Sequence, residues 1–86
     1  MTEQEFRDLI ANDLVRIVTK DRKFHVVTTH ATMCAFDVGA AHGVKAPLGW
    51  VRCWDIEQAE WHSIDPAAVF AYQPLQHFAS EPLPLD

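Results

Sequence analysis

Residues 50–72 carry the pattern that decides the fold, and they read WVRCWDIEQAEWHSIDPAAVFAY. Side chains alternate in character over residues 50–55, as expected of a strand whose successive side chains point to opposite faces of a sheet. Residues 56–60 then form a polar turn, and residues 61–64 return as a second strand. The stretch therefore predicts a β-hairpin rich in tryptophan.

A single helical turn is predicted to follow this hairpin. Asp65 can cap the turn, and Pro66 suits its first position because proline lacks the N–H that a helix start leaves unpaired. Residues 69–72 then form a last short strand, which we expect to end before Pro74. Together with the hairpin, these features are typical of the closing part of a small β-barrel.

The N-terminal residues predict a short helix. Thr2 and Glu5 form a capping box, in which each side chain satisfies a backbone N–H at the helix start. Apolar residues then recur at helical spacing, so that residues 3–11 are interpreted as a helix that covers one end of the domain.

Two further strands lie between this helix and the hairpin. Residues 14–19 and 24–32 are rich in β-branched side chains, and the polar turn 20–23 joins them. Glycine and proline then interrupt residues 38–48, which are interpreted as a loop.

The complete order is helix, two strands, loop, two strands, one helical turn and one strand. This order predicts a mainly β protein with an N-terminal α-helix, namely a small five-stranded SH3-like or Sm-like barrel. Residues 1–75 form the single domain, and residues 76–86 form a proline-rich C-terminal tail. In a chain of 86 residues the core is thin, so that large aromatic side chains are expected to be recruited to it.

Charge is unevenly distributed along the chain. The formal net charge is -5, which argues against generic nucleic-acid binding. However, residues 14–52 hold six lysines and arginines against two acids, whereas residues 53–86 hold six acids and neither basic type. A local basic patch is therefore compatible with the acidic total. Neither a signal peptide nor a membrane-spanning run is recognisable, so we expect a cytoplasmic protein with no membrane partner.

Three short motifs resemble a known family. They are LVRIVTK at residues 14–20, VRCWDIE at residues 51–57 and WHSI at residues 61–64. In these motifs the chain resembles small, mostly phage-encoded SH3-like β-barrel proteins related to WYL-type domains. The resemblance implies the barrel fold and a phage or prophage accessory protein in a bacterial host cell, but it implies no common activity. His62 stands where the family has arginine, and Arg22 stands where a glycine is expected.

The sequence shows no catalytic apparatus and predicts neither an enzyme nor a cofactor. His25 and His30 lie an odd number of residues apart on one strand, so they point to opposite faces and cannot bind a metal together. No zinc-binding spacing of cysteine and histidine is present, and no metal site is expected. Cys34 and Cys53 are interpreted as buried free thiols.

The first functional hypothesis is a protein-binding module. Tryptophan and arginine dominate binding hot spots, and one of Trp50 and Trp54 is expected to be exposed beside Arg52. The acidic residues nearby could meet a basic partner surface. The candidate contact residues are Trp50, Arg52, Trp54, Asp55, Glu57 and His62.

Two alternatives remain open. In a nucleic-acid-binding barrel, phosphates would be contacted by Arg52 and by the basic first hairpin through Arg16, Lys20, Arg22 and Lys23, and a tryptophan would stack on a base. In a self-associating structural protein, barrel edges or aromatic side chains would form a homo-oligomer.

Overall fold

The computed structural model describes residues 1–30, residue 33 and residues 46–78. In this part of the chain the protein is mainly β, with one N-terminal helix and five strands. The elements are α1 (Glu3–Asn12), β1 (Asp13–Thr19), β2 (Phe24–Thr28), β3 (Val51–Asp55), β4 (Glu60–Ile64), a 3₁₀ turn (Pro66–Ala68) and β5 (Val69–His77).

The five strands form one antiparallel sheet in the order β4-β3-β2-β1-β5. Strand β1 lies inside the sheet, because it pairs with β2 on one side and with β5 on the other. The described residues form an open sheet with β4 and β5 at its edges, which is consistent with a small barrel that is not closed. The predicted fold class, mainly β with an N-terminal helix, is confirmed.

Helix α1 begins at the predicted capping box. The Thr2 hydroxyl accepts from the Glu5 N–H, and the Glu5 carboxylate accepts from the Thr2 N–H. This second bond, from the Thr2 backbone, lowers the pKa of the Glu5 carboxyl below its usual value. At the other end, the Thr28 hydroxyl and the Thr29 N–H both donate to the Ile10 carbonyl, so the helix end is tied to the region of β2.

The main core lies between α1 and the inner face of the sheet. Phe6 and Ile10 are fully buried against side chains from four strands. The sheet contributes Val15, Ile17, Val27, Val51, Cys53 and Ile64 to this core. A smaller cluster of Leu14, Val26 and Phe78 lies apart from it. The helix thus covers the inner face and leaves most of the outer face of β1 and β5 to solvent.

The last strand is longer than the sequence predicts. It continues through Pro74 to His77, rather than ending at Tyr72, and Phe78 after it is buried. Proline is tolerated because β5 is an edge strand. On the outer side of such a strand no neighbouring strand accepts from the backbone N–H groups, so a residue without an N–H loses no hydrogen bond there. The register also shifts between the β1 residues Leu14 and Val15, opposite this proline.

This strand passes the predicted domain end at residue 75, so residues 76–78 belong to the folded part. Strand β2 ends at Thr28, earlier than the predicted residue 32. Most of the predicted loop 38–48, and the tail from residue 79 onwards, lie outside the described residues.

Candidate functional site

An aromatic–basic patch lies on the outer face of the sheet, and we define it as Arg16, Val18, Lys20, Arg22, Phe24 and Phe70. Its apolar centre is Val18, which pairs with Phe24 on β2 and with Ala71 on β5. Phe24 is 64% exposed and Phe70 is 73% exposed. Two shallow grooves that share Val18 contain these rings, Phe70 in one and Phe24 in the other.

Cationic side chains line the same grooves. Lys20 and Arg22 line the groove that holds Phe70, and Arg16 lines the groove that holds Phe24. Lys23, the fourth basic residue predicted for this hairpin, instead lines a different groove and lies 4.0 Å from the Asp21 carboxylate. The structure thus brings together three of the four residues that the sequence assigned to a basic hairpin.

The turn that carries Arg22 is held by several hydrogen bonds. The Arg22 N–H donates to the Thr19 carbonyl, and the Thr19 N–H donates to the Lys23 carbonyl. The Thr19 hydroxyl also hydrogen-bonds the Asp21 carboxylate, which lowers the pKa of that carboxyl. Arg22 itself has φ 66°, a left-handed conformation that glycine adopts more readily than any other residue. The residue expected at position 22 from the family resemblance is glycine, so arginine occupies a position where its backbone is strained.

A His–Asp–His cluster of His25, Asp55 and His62 lies on the inner face of the sheet. His25 is on β2, Asp55 on β3 and His62 on β4. The His25 Nδ1 atom lies 3.0 Å from Asp55 Oδ2, and the His62 Nε2 atom lies 3.7 Å from the same oxygen. The two imidazole rings are 5.3 Å apart between centroids.

The carboxylate of this cluster is almost completely buried, with Asp55 only 1% exposed. Its other oxygen, Oδ1, accepts from the backbone N–H groups of Glu57 and Gln58. His62 Nε2 also lies 3.2 Å from Gln58 Oε1 and 3.4 Å from Glu60 Oε2. One oxygen of Asp55 therefore holds the β3–β4 turn, while the other faces two imidazoles.

A groove opens beside the cluster, and His25 and His62 line part of it. Trp50, Lys20 and Lys23 line other parts of the same groove. Cys53 pairs with His62 across the strands, but burial, followed by the charge of Asp55, raises the pKa of its thiol to about 12. The three side chains whose ligand atoms lie close together here are those of His25, Asp55 and His62.

Only some of the residues predicted for protein binding lie together: Asp55 and His62 share the inner-face cluster, and Trp50 lines the same groove as His62. Trp54 is only 6% exposed and packs edge-on against Trp61, with ring centroids 5.5 Å apart. Asp55 is buried in the inner-face cluster. Trp50 is 39% exposed, so it is the more exposed of Trp50 and Trp54.

Arg52 and Glu57 do not line that groove. Arg52 is partly buried and donates to the Ser63 hydroxyl at 3.3 Å. Glu57 is exposed in the β3–β4 turn, and His62 lies in the inner-face cluster.

Three residues important to these two sites were not singled out by the sequence. Phe24 and Phe70 were expected in the core, since a thin core recruits aromatic side chains, yet each follows a turn on the outer face. No alternation with buried residues marks Phe70, since its strand is exposed from residue 70 to residue 77. The neighbours of His25 in space are Asp55 and His62, on two strands more than 25 residues further along the chain, so the spacing of histidines within one predicted strand gave no signal for the cluster.

Comparisons with known proteins identify no relative. The chain matches no family model, no curated protein and no solved structure. Within the part of the chain that the structure describes, no helix has the length and apolar character that crossing a membrane requires.

Proposed function

We propose that this protein is a non-enzymatic protein-binding module whose aromatic–basic patch binds an acidic, partly apolar segment of a partner. One observation carries the proposal: Phe24 and Phe70 are exposed on either side of Val18, within a rim of three cationic side chains. The contact surface therefore differs from the tryptophan and acidic residues that the sequence suggested.

The apolar part of the patch favours a protein partner. Aromatic side chains and arginine are enriched among the residues that dominate binding energy, especially where aromatic rings can be desolvated together. The three cations would favour a segment that carries carboxylates near its apolar side chains. Such complementarity mainly raises the association rate and selects the partner.

The conformation of Arg22 supports a role for its side chain. An L-residue in the left-handed region costs about 1–2 kcal/mol, and such strain tends to persist at functional positions. Glycine at residue 22 would relieve it but would remove a cation from the patch. Arginine at a position that favours glycine therefore fits a side chain that contacts a partner.

The biological setting of the proposal rests on the sequence motifs. The resemblance of residues 14–20 and 51–57 to small phage-encoded barrels leads us to propose a phage or prophage accessory protein that acts on a host protein in the bacterial cytoplasm. The absence of catalytic motifs in the sequence supports binding, rather than chemistry, as the mode of action.

A peptide-display selection against the full chain tests the proposal. We expect enriched peptides to combine acidic and apolar residues, and to bind at least about fivefold more weakly to Phe70→Ser, which corresponds to a loss of about 1 kcal/mol or more. Leu48→Ser is the matched control, because Leu48 is a fully exposed apolar residue outside the patch. Peptides that bind both variants as well as the parent chain would place the binding surface elsewhere.

Nucleic-acid binding is the second candidate, and the same rim of Arg16, Lys20 and Arg22 favours it. Single strands bind to exposed aromatic rings flanked by cations, but a net charge of -5 opposes association with a polyanion. Fluorescence anisotropy with labelled single-stranded DNA and RNA separates the candidates. Three phosphate contacts predict a slope of about -2 for log affinity against log salt, whereas no binding at about 50 mM salt, where phosphate contacts are strong, would eliminate this candidate.

A further inference from the structure

We propose that His25, Asp55 and His62 form a binding site for a divalent transition metal of the zinc type. The site lies on the inner face of the sheet, whereas the aromatic–basic patch lies on the outer face. The proposal is therefore independent of the partner-binding function.

Sheet register brings the three ligands together. Val27 pairs with Asp55, and Cys53 pairs with His62, so that His25, Asp55 and His62 occupy neighbouring positions on one face of β2, β3 and β4. Side chains on the same face of adjacent strands lie within reach of one another, including diagonal neighbours. Because each ligand comes from a different strand, their spacing in the sequence matches no metal-binding motif.

The donor set selects the metal. Two imidazole nitrogens and one carboxylate oxygen suit zinc and related transition metals, whereas magnesium and calcium prefer oxygen ligands alone. Tetrahedral zinc with bonds of about 2.0–2.1 Å places its ligand atoms about 3.3 Å apart. Asp55 Oδ2 lies 3.0 Å from His25 Nδ1 and 3.7 Å from His62 Nε2, so one distance is shorter and the other longer than this value. One ligand atom from each residue lies within 4.8 Å of the other two.

Surrounding groups orient the ligands. Asp55 Oδ1 accepts two backbone hydrogen bonds from the β3–β4 turn, which fixes the carboxylate while Oδ2 faces the histidines. Outer contacts of this kind hold metal ligands in place and contribute to affinity. Asp55 holds the β3–β4 turn through Oδ1 alone. This role in the turn does not explain why two imidazoles lie beside Oδ2.

The fourth coordination position can face the groove. Both histidines line this groove, and His62 is the more exposed of the two. Three protein ligands with water at the fourth position are typical of an open zinc site. Glu60 Oε2, at 3.4 Å from His62 Nε2, lies close enough to approach the same position.

Calorimetric titration of the full chain, without a histidine tag, with zinc chloride near neutral pH tests this proposal. We expect saturable binding of one zinc ion per chain, and no comparable binding of magnesium. Losing an outer-sphere contact typically weakens metal binding about 10–100-fold. Because His25→Gln and His62→Gln each remove a direct ligand, each should weaken zinc binding by more than that. His62→Arg leaves Asp55 a charged partner but removes the ligand, so it should also weaken binding.

His77→Gln is the matched control, because His77 lies 2.7 Å from Asp13 but, among the described residues, is not in a group of three potential metal ligands. We expect this variant to bind zinc as the parent chain does. Nuclear magnetic resonance of the parent chain supplies a readout that needs no substitution, since zinc should shift the imidazole signals of His25 and His62 first. Absence of saturable zinc binding, equal binding by all variants, or first shifts at His30 or His77 would overturn the proposal.

Discussion

Replacing Arg22 with glycine should make the protein more stable and a weaker binder. Arg22 has φ 66°, and this left-handed conformation costs an L-residue about 1–2 kcal/mol. Glycine avoids that cost, but it loses more conformational freedom on folding, and this loss destabilises the folded state by about 0.5–1 kcal/mol. The net expectation is that Arg22→Gly raises the free energy of unfolding by about 0.5–1 kcal/mol.

Thermal unfolding followed by circular dichroism measures this gain. With about 2.1 cal/mol/K of unfolding entropy per residue, a chain of 86 residues has about 180 cal/mol/K, so the gain corresponds to a rise in Tm of about 3–6 °C. Both backbone hydrogen bonds of the turn are kept in the variant. Binding of a selected peptide should weaken in the same variant, because the patch loses one of its three cations.

Two matched variants separate backbone strain from side-chain loss. Ala59 in the β3–β4 turn also has positive φ, 55°, and does not line the grooves of the aromatic–basic patch. Ala59→Gly should therefore raise Tm by a similar amount and leave peptide binding unchanged. Arg22→Ala removes the cation but keeps the strain, so it should weaken binding without the gain in Tm. If Arg22→Gly were no more stable than Arg22→Ala, the strain argument would be refuted.

Three further predictions concern the framework. Thr2→Ala removes the helix cap and should lower the free energy of unfolding by about 0.5–2 kcal/mol in chemical denaturation; an unchanged value would show that the cap contributes little. Phe6→Ala empties the centre of the core and should cost about 3–5 kcal/mol by the same measurement, and a loss below 1 kcal/mol would contradict the packing of α1 on the sheet. Because the folded state raises the pKa of the Cys53 thiol from 9.0 to about 12, the unfolded chain loses this proton first as pH rises. Stability should therefore be insensitive to this group below about pH 9 and should fall between about pH 9 and 12. In a Cys34→Ser background, alkylation of Cys53 should follow unfolding, and rapid labelling of the folded protein would contradict its burial.

Local patterns in the sequence predicted most of the fold. The capping box located α1, alternation located β3 and β4, and Asp65 with Pro66 located the 3₁₀ turn. The end of β5 was predicted wrongly, because the rule that proline stops a strand assumes a strand paired on both sides. Only the pairing order shows that β5 is an edge strand, and that order depends on contacts between distant residues.

The two sites were harder to predict because they depend on the faces of the sheet. Burial of aromatic residues was assumed from the size of the core, yet α1 fills the inner face with Phe6 and Ile10, and so Phe24 and Phe70 remain outside. Asp55 and His62 were selected as surface contacts, whereas pairing across strands turns both inward towards His25. A single sequence gives the alternation of side chains but not which of the two faces the helix will cover.

The first hairpin links the two proposed sites. Phe24 and His25 are consecutive on β2, so the pleat of the strand directs one ring to the outer patch and the other to the inner cluster. Lys20 lines the groove beside Phe70 and also the groove beside the histidines. The basic hairpin, which the sequence presented as one surface, is therefore divided between two faces. Its positive charge is therefore concentrated beside two grooves, within a chain whose formal net charge is -5.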